Sequence, residues 1–216
     1  MSKQQQHTLR LFLVRHGETA ANMQMRYLGI RDEPLTENGM WQASQAASAL
    51  AQLSIGAVYS SPLRRAADTA AEITKACGLD VRLDERLAEG SFGSWEGLSR
   101  AEVLKLGRQD AELLARWEVD PSCAPPGGES MKKVQERTLN MVRELESAFV
   151  GSSVVLVSHV GPIKALLAAA LEIPLQASRR LFLDPCTISV VDWGTPSLLR
   201  LFNSHAHLGW LSARWR

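Results

Sequence analysis

Apolar residues recur along the chain in two rhythms. Short unbroken runs stopped by polar residues or glycine predict strands, at Arg10–Val14 and, as a strand covered on both faces, at Val154–Val157. Arg15-His16-Gly17 ends the first run, and the stretch onward to Pro34 reads as loop. A helical rhythm then begins at Thr36, a predicted N-cap, and runs to about Leu53, with Met40, Ala43, Ala47 and Leu50 on one face. Ala57–Ser60 predicts a second strand. Leu63–Cys77 predicts an alanine-rich helix, closed by Gly78 in the left-handed conformation, and Val81–Leu83 a third strand. Ser99–Trp117 is weakly helical. Asp120–Gly128 (DPSCAPPGG) breaks any element with three prolines and two glycines. Glu129–Phe149 predicts one long helix, and Pro162–Leu171 another with proline at its first position. Ile188–Val191 and Leu198–Phe202 predict the closing strands.

Strands alternating with helices predict an α/β fold in three layers, a mostly parallel central sheet flanked by helices. A length of 216 residues fits a single domain over 1–216. The polar start, 1–8, is expected to be flexible, and 99–130 to form a lid-like insertion ending at the proline–glycine loop.

Composition narrows the function classes. Twenty-four Lys and Arg against 23 Asp and Glu leave a formal charge of +1, so no basic surplus speaks for nucleic acid or for an anionic membrane surface. The first apolar run is too short for a signal segment or a membrane span. Cys77, Cys123 and Cys186 are odd in number and form no CxxC pair, as expected of reduced thiols in a cytoplasmic protein. His205 and His207 in SHAHL have metal-like spacing along a strand but no carboxylate set beside them in sequence, so no metal site is read there. No cofactor motif is present: the glycines of Pro125–Gly128 make no GxGxxG after a strand, and no GxxxxGK[ST] occurs.

Three polar segments follow predicted strands directly: Arg15-His16-Gly17-Glu18-Thr19, Ser60-Ser61-Pro62-Leu63-Arg64-Arg65 and Ser158-His159-Val160-Gly161. In an open α/β sheet, ligands bind at the carboxyl ends of the strands. If the three strands are parallel, two histidines, three arginines and the amides of helix starts meet at one edge. That inventory suits a phosphate dianion. Guanidinium forks match phosphate oxygens, helix N-termini offer oriented N–H groups, and a neutral imidazole is a competent nucleophile.

These segments resemble the signature blocks of the histidine phosphatase superfamily, the phosphoglycerate-mutase-like proteins. LFLVRHGETAAN (Leu11–Asn22), SSPLRRAADTA (Ser60–Ala70), LAEGSFGSWEG (Leu87–Gly97), PGGES (Pro126–Ser130) and VSHVGPIKALL (Val157–Leu167) fall in that family's order. The resemblance implies a phosphoglycerate-mutase-like fold and assigns roles. His16 becomes the nucleophile that carries the phosphoryl group as phosphohistidine. Arg15, Arg65 and His159 bind the phosphate, and Glu89 protonates the leaving oxygen and then activates water. Asn22 and the amide of Val160 are secondary phosphate contacts. Arg65 is preferred to Arg64 because it directly precedes the alanine of the RA pair. Where the family commonly has glycine straight after the second histidine, this chain has Val160.

The family includes hydrolases and phosphoglycerate mutases. Ala101–Pro126 carries Lys105, Arg108 and Arg116 against Glu102, Asp110, Glu112, Glu118 and Asp120. A stretch so acidic on balance is poorly suited to hold a second phosphate. The expectation is therefore a metal-independent, cofactor-free phosphomonoesterase of the α-ribazole-phosphatase-like branch, acting in the cytoplasm on a small phosphorylated metabolite. Nucleic acid and membrane are not expected as partners, and a homodimer is left open. A phosphoglycerate mutase and a non-catalytic phospho-ligand module are the alternatives. Specificity is expected from residues after Asn22, such as Arg26 and Tyr27, and from the lid.

Overall fold

The computed structural model describes residues 8–209. The expected flexible start thus lies, apart from Thr8, outside the described residues. In chain order the elements are β1 (Leu9–Arg15), α1 (Ala20–Met23), α2 (Glu37–Leu50), β2 (Ala57–Ser60), α3 (Arg64–Cys77), β3 (Val81–Leu83), α4 (Arg100–Leu106), α5 (Arg108–Trp117), α6 (Met131–Ala148), β4 (Ser153–Ser158), α7 (Val160–Ala170), β5 (Ile188–Trp193) and β6 (Leu198–Ser204). Short 3₁₀ turns occupy Glu85–Leu87, Gly93–Trp95 and Leu175–Arg180.

The six strands form one mixed sheet in the order β3-β2-β4-β1-β5-β6. The first four are mutually parallel, while β5 runs antiparallel to β1, and β6 to β5. The reversal follows from the connection after α7. Residues 181–187 return to the carboxyl end of β1, where the Cys186 amide donates to the His16 carbonyl at 3.0 Å, so β5 starts where its neighbour ends.

Each face of the sheet carries its own core, which makes three layers. Leu9, Leu11, Leu13, Val154 and Leu156 pack against α6 and α7 through Met141, Leu145, Ile163 and Leu167. Phe12, Val14, Val58, Val155 and Val157 pack on the other side against Ala46, Leu50, Ala66 and Ile73 of α2 and α3. The period-2 geometry of a strand sends alternate residues to opposite faces, so a strand covered on both sides reads as an unbroken apolar run. A third cluster joins Trp95, Val103 and Leu114 with Tyr27, Phe92, Leu113 and Trp117, under the 92–117 stretch. Trp95 is fully buried there, and its indole N–H donates to Asp110 at 2.8 Å.

Three local expectations are revised. Met40 is exposed; the buried stripe of α2 is Gly39, Ala43, Ala46, Ala47 and Leu50. The loop before Pro34 holds the single turn α1, closed by a capping box between Thr19 and Asn22. Helix α7 begins at Val160, with His159 as N-cap, so Pro162 is its third residue and not its first. Proline is tolerated there because first-turn N–H groups have no intrahelical acceptor to lose. No helix among the described residues is long and apolar enough to cross a membrane.

Candidate active site

Strands β1 and β4 are neighbours, yet the helices packed beyond them, α2 and α7, lie on opposite faces of the sheet. Such a divergence opens a crevice at the carboxyl ends of the strands. Arg15 pairs with Ser158 in the last register position, and the His16 amide extends the ladder to the Ser158 carbonyl at 2.9 Å. The residue after each strand is a histidine. The His16 and His159 rings lie with centroids 5.0 Å apart, tilted by 55°.

Both rings are buried, and both are held neutral. His16 lies well below the usual imidazole range, first through burial and then through the charges of Arg65 and Arg15. His159 is lowered in the same way, by burial and then chiefly Arg65. The His16 Nδ1 is 2.7 Å from the Gly17 carbonyl. A carbonyl only accepts, so the proton sits on Nδ1 and the lone pair on Nε2. The His159 Nε2 is 2.8 Å from the Ser61 hydroxyl, while its buried Nδ1 has no partner among the described residues.

Both arginines are fixed from behind by backbone carbonyls. Arg15 Nη1 donates to Leu183 at 2.6 Å. Arg65 donates through Nη1 to Arg31 at 2.9 Å and through Nη2 to Gly29 at 2.7 Å, leaving its buried Nε without an acceptor among the described residues. Arg64, by contrast, is exposed beside Asp68. Gly17 lies so close to the start of α2 that an added Cβ would be 2.5 Å from the Gly39 carbonyl oxygen, which explains a glycine after His16. The loop that carries Leu183 is pinned in turn: His205 donates to Asp184 at 2.9 Å, both nearly fully buried, and His207 donates to the Cys186 carbonyl at 2.9 Å.

Glu89 reaches the crevice from the loop after β3. The Ser158 hydroxyl holds the preceding turn through the Leu87 carbonyl at 2.6 Å, and Arg137 on α6 does so through the Arg86 carbonyl at 2.7 Å. The Glu89 carboxylate accepts from the amides of Gly161 and Gly90. The glycine displaced by Val160 thus serves one position later, on Glu89. The amide of Val160 is the first of α7, with no intrahelical acceptor.

Arg15, His16, Asn22, Arg65, Glu89 and Val160 all line one cavity of about 310 Å³. The Asn22 side-chain oxygen accepts from the Thr19 amide in the capping box, so this residue both shapes the loop and faces the cavity. Tyr27 and Arg26 also line it, but the Arg26 charge is paired with Glu102 at 2.7 Å. From the 99–130 stretch, Trp117, Pro121 and Glu129 reach the wall. The sequence reading missed Ser61, Gly161, Lys164 and Arg179. Lys164 carried a signal, since it stands four residues after Val160 and so on the same helix face. Ser61 and Gly161 stand in the strand-end segments and were given no role there, while Arg179 meets the site only through tertiary folding.

Residues 11–203 match the Histidine phosphatase superfamily (branch 1), and the chain belongs to that family. It is 42% identical over 202 residues to a bifunctional protein of Mycobacterium tuberculosis, a match that covers 92% of this chain but 55% of that one. The chain thus spans about half the length of this relative. It is 40% identical over 174 residues to a glucosyl-3-phosphoglycerate phosphatase of the same species, covering 77% of each. Among solved structures, the alpha-ribazole phosphatase of Shigella flexneri superposes with a TM-score of 0.80 at 30% identity, covering 91% of this chain and 97% of that one.

Proposed function

We propose that this chain is a phosphomonoester hydrolase that passes the phosphoryl group of a small metabolite to His16 and then to water. The observation that carries the reading is the fixed tautomer of His16, a neutral ring whose Nε2 lone pair is available beside two guanidinium groups. In the first step Nε2 attacks phosphorus, the bond to the leaving oxygen breaks, and the Glu89 carboxyl gives that oxygen its proton. In the second step Glu89 takes a proton from water, the water oxygen attacks phosphorus, and the nitrogen–phosphorus bond breaks. Inorganic phosphate leaves, and His16 is neutral again.

Arg15 and Arg65 hold the equatorial oxygens, and the charge they neutralise is the charge that develops in the transition state. With the Ser61 hydroxyl donating to its Nε2, His159 offers Nδ1–H to the same oxygens. Asn22 and the Val160 amide complete the shell. Residues 99–130 act as the lid that sets the leaving group. The guanidinium pair removes the need for a metal, so turnover is expected in EDTA. A cavity of about 310 Å³ suits a small molecule better than a polymer. Three free cysteines support action in the cytoplasm.

The test is release of phosphate from p-nitrophenyl phosphate in EDTA by the wild type and by His16→Ala, with acid quench to trap labile phosphate on the protein. Turnover and trapped phosphate are expected only with His16 present. Equal turnover in both proteins would refute the scheme. Phosphate binding without turnover would favour the non-catalytic module, and transfer to a second phosphate ester in place of water would favour a mutase.

A further inference from the structure

Both backbone anchors of Arg65 lie in one tight turn. The Arg31 amide donates to the Leu28 carbonyl at 3.2 Å, and Gly29 takes φ +58°, a turn position that favours glycine. The carbonyls of Gly29 and Arg31 face Arg65. The amide between them, that of Ile30, is used elsewhere: it donates to Glu96 Oε1 at 3.0 Å. The same oxygen accepts from the Phe92 amide at 3.0 Å and from the Ser91 hydroxyl at 3.2 Å. Glu96 belongs to the LAEGSFGSWEG block but holds none of the roles assigned above, and it is not among the residues that line the cavity.

The fit around this carboxylate is close. A Cβ on Gly29 would lie 2.2 Å from Oε1, so glycine is needed there for the approach as well as for the turn. The Glu96 backbone is fixed too: its carbonyl accepts from the Arg31 guanidinium at 3.3 Å, and the next amide, that of Gly97, donates to the Tyr27 carbonyl at 2.7 Å. On the far side, the Ser91 carbonyl accepts from the Glu129 amide at 2.8 Å. Ser91 and Phe92 closely follow Glu89 in the chain. One oxygen atom therefore joins the turn that anchors Arg65 to the loop that carries Glu89. Burial pulls the Arg65 guanidinium down from its usual range, and Glu89, Asp32, Glu33 and Glu96 oppose this, Glu96 least of the four. Its carboxylate bears on Arg65 more by where it holds the turn than by its charge.

We propose that Glu96 is a positioning residue for phosphoryl transfer: its Oε1 joins the Leu28–Arg31 turn to the 89–92 loop and so sets the separation between the phosphate clamp and the proton donor. This deepens the hydrolase reading and rests on it. In the first step the proton of Glu89 has to arrive at the leaving oxygen while Arg65 holds the oxygens of the phosphoryl group. The two side chains come from different loops, and a misplacement of about 1 Å between reacting groups can lower a rate on the order of 10²-fold. A shared carboxylate oxygen ties the position of one loop to that of the other.

The experiment separates reach from charge. Glu96→Gln keeps an oxygen in the place of Oε1 and loses the charge, Glu96→Asp keeps the charge and is one methylene short, and Glu96→Ala loses both. Calorimetric binding of benzylphosphonate reads the phosphate clamp. The ratio of kcat on p-nitrophenyl phosphate to kcat on benzyl phosphate reads the proton donor, because the poorer leaving group depends more on the donated proton. Thermal melting followed by circular dichroism checks each fold. In the aspartate and alanine variants benzylphosphonate is expected to bind roughly tenfold more weakly and the ester ratio to rise by about the same factor, the scale of a hydrogen bond to a charged group. Glutamine is expected to stay closer to the wild type than aspartate in both readouts. A lower melting temperature with the ester ratio unmoved would make Glu96 merely structural and overturns the proposal. So does an aspartate variant that matches the wild type while glutamine fails, since charge and not reach would then be the cause. Should Glu96→Ala not fold, the comparison of aspartate with glutamine decides. A wild type that hydrolyses neither ester ends the hydrolase reading; the benzylphosphonate affinities then decide the joint, and equality between wild type and Glu96→Asp overturns it.

Discussion

The backbone amide of Gly161 donates to both carboxylate oxygens of Glu89, at 3.1 and 3.3 Å, and a Cβ built on Gly161 would lie 2.3 Å from Oε1. Glu89 is therefore positioned by the missing side chain of a residue far away in the chain. Gly161→Ala should push the carboxylate out of place without touching the phosphate ligands. The expected result is a fall in kcat of about 10²-fold or more, within the range that a proton donor contributes. An alkyl phosphate should suffer more than p-nitrophenyl phosphate, because a poor leaving group depends more on the donated proton. Equal losses on both substrates would mean that Glu89 is not the donor.

The two site histidines should stay neutral where ordinary imidazoles titrate. Burial and the flanking guanidinium groups depress both, so NMR should show His16 and His159 still unprotonated as the pH falls through the ordinary imidazole range at about 6.5. The sign for stability follows. The unfolded chain binds protons at these positions as pH drops through about 6.5, while the folded chain does not. Their contribution is fully present above that pH and is lost progressively below it, down to the depressed folded values. The melting temperature should therefore fall between neutral and mildly acidic pH, and less steeply in a His159→Gln variant.

The small core under 92–117 depends on Trp95, which is fully buried with its N–H on Asp110. Trp95→Ala should cost about 3–5 kcal/mol, as large aromatic-to-alanine changes in cores do. Chemical denaturation measures the loss, and limited proteolysis should first cut within 99–130. An unchanged cleavage pattern would show that this stretch does not loosen on its own.

The pair His205 and Asp184 supports the loop whose Leu183 carbonyl holds Arg15. His205→Ala removes a buried hydrogen bond to a carboxylate, an expected loss of about 1.5–3 kcal/mol. Because the loop bears on Arg15, KM for p-nitrophenyl phosphate should rise in the same variant. A stability loss with KM unchanged would confine the pair to a structural role.

Much of this architecture was legible in the residue pattern. Arg10–Val14 reads as a strand and Val154–Val157 as one covered on both faces because the sheet is packed on both sides, and the site residues follow those strands directly. What escaped had physical reasons. The direction of β5 is set by residues 181–187 turning back toward His16, which no local pattern records. Pro162 is permitted anywhere in a first turn, so it could not fix the start of α7. Met40 matched the helical period, but Gly39 takes the inward place through close backbone contact with Glu18. Arg179 acquires its position only through elements distant in sequence.

The arrangement of β1 between β4 and β5 has a bearing on how the protein comes into being. Both flanking strands come from the last third of the chain. During synthesis, the segment bearing His16 must wait for partners made long after it, and pairings of such sequence separation form slowly. No amino-terminal fragment ending before β4 contains either strand that flanks β1, so His16 meets His159 only once the sheet has closed.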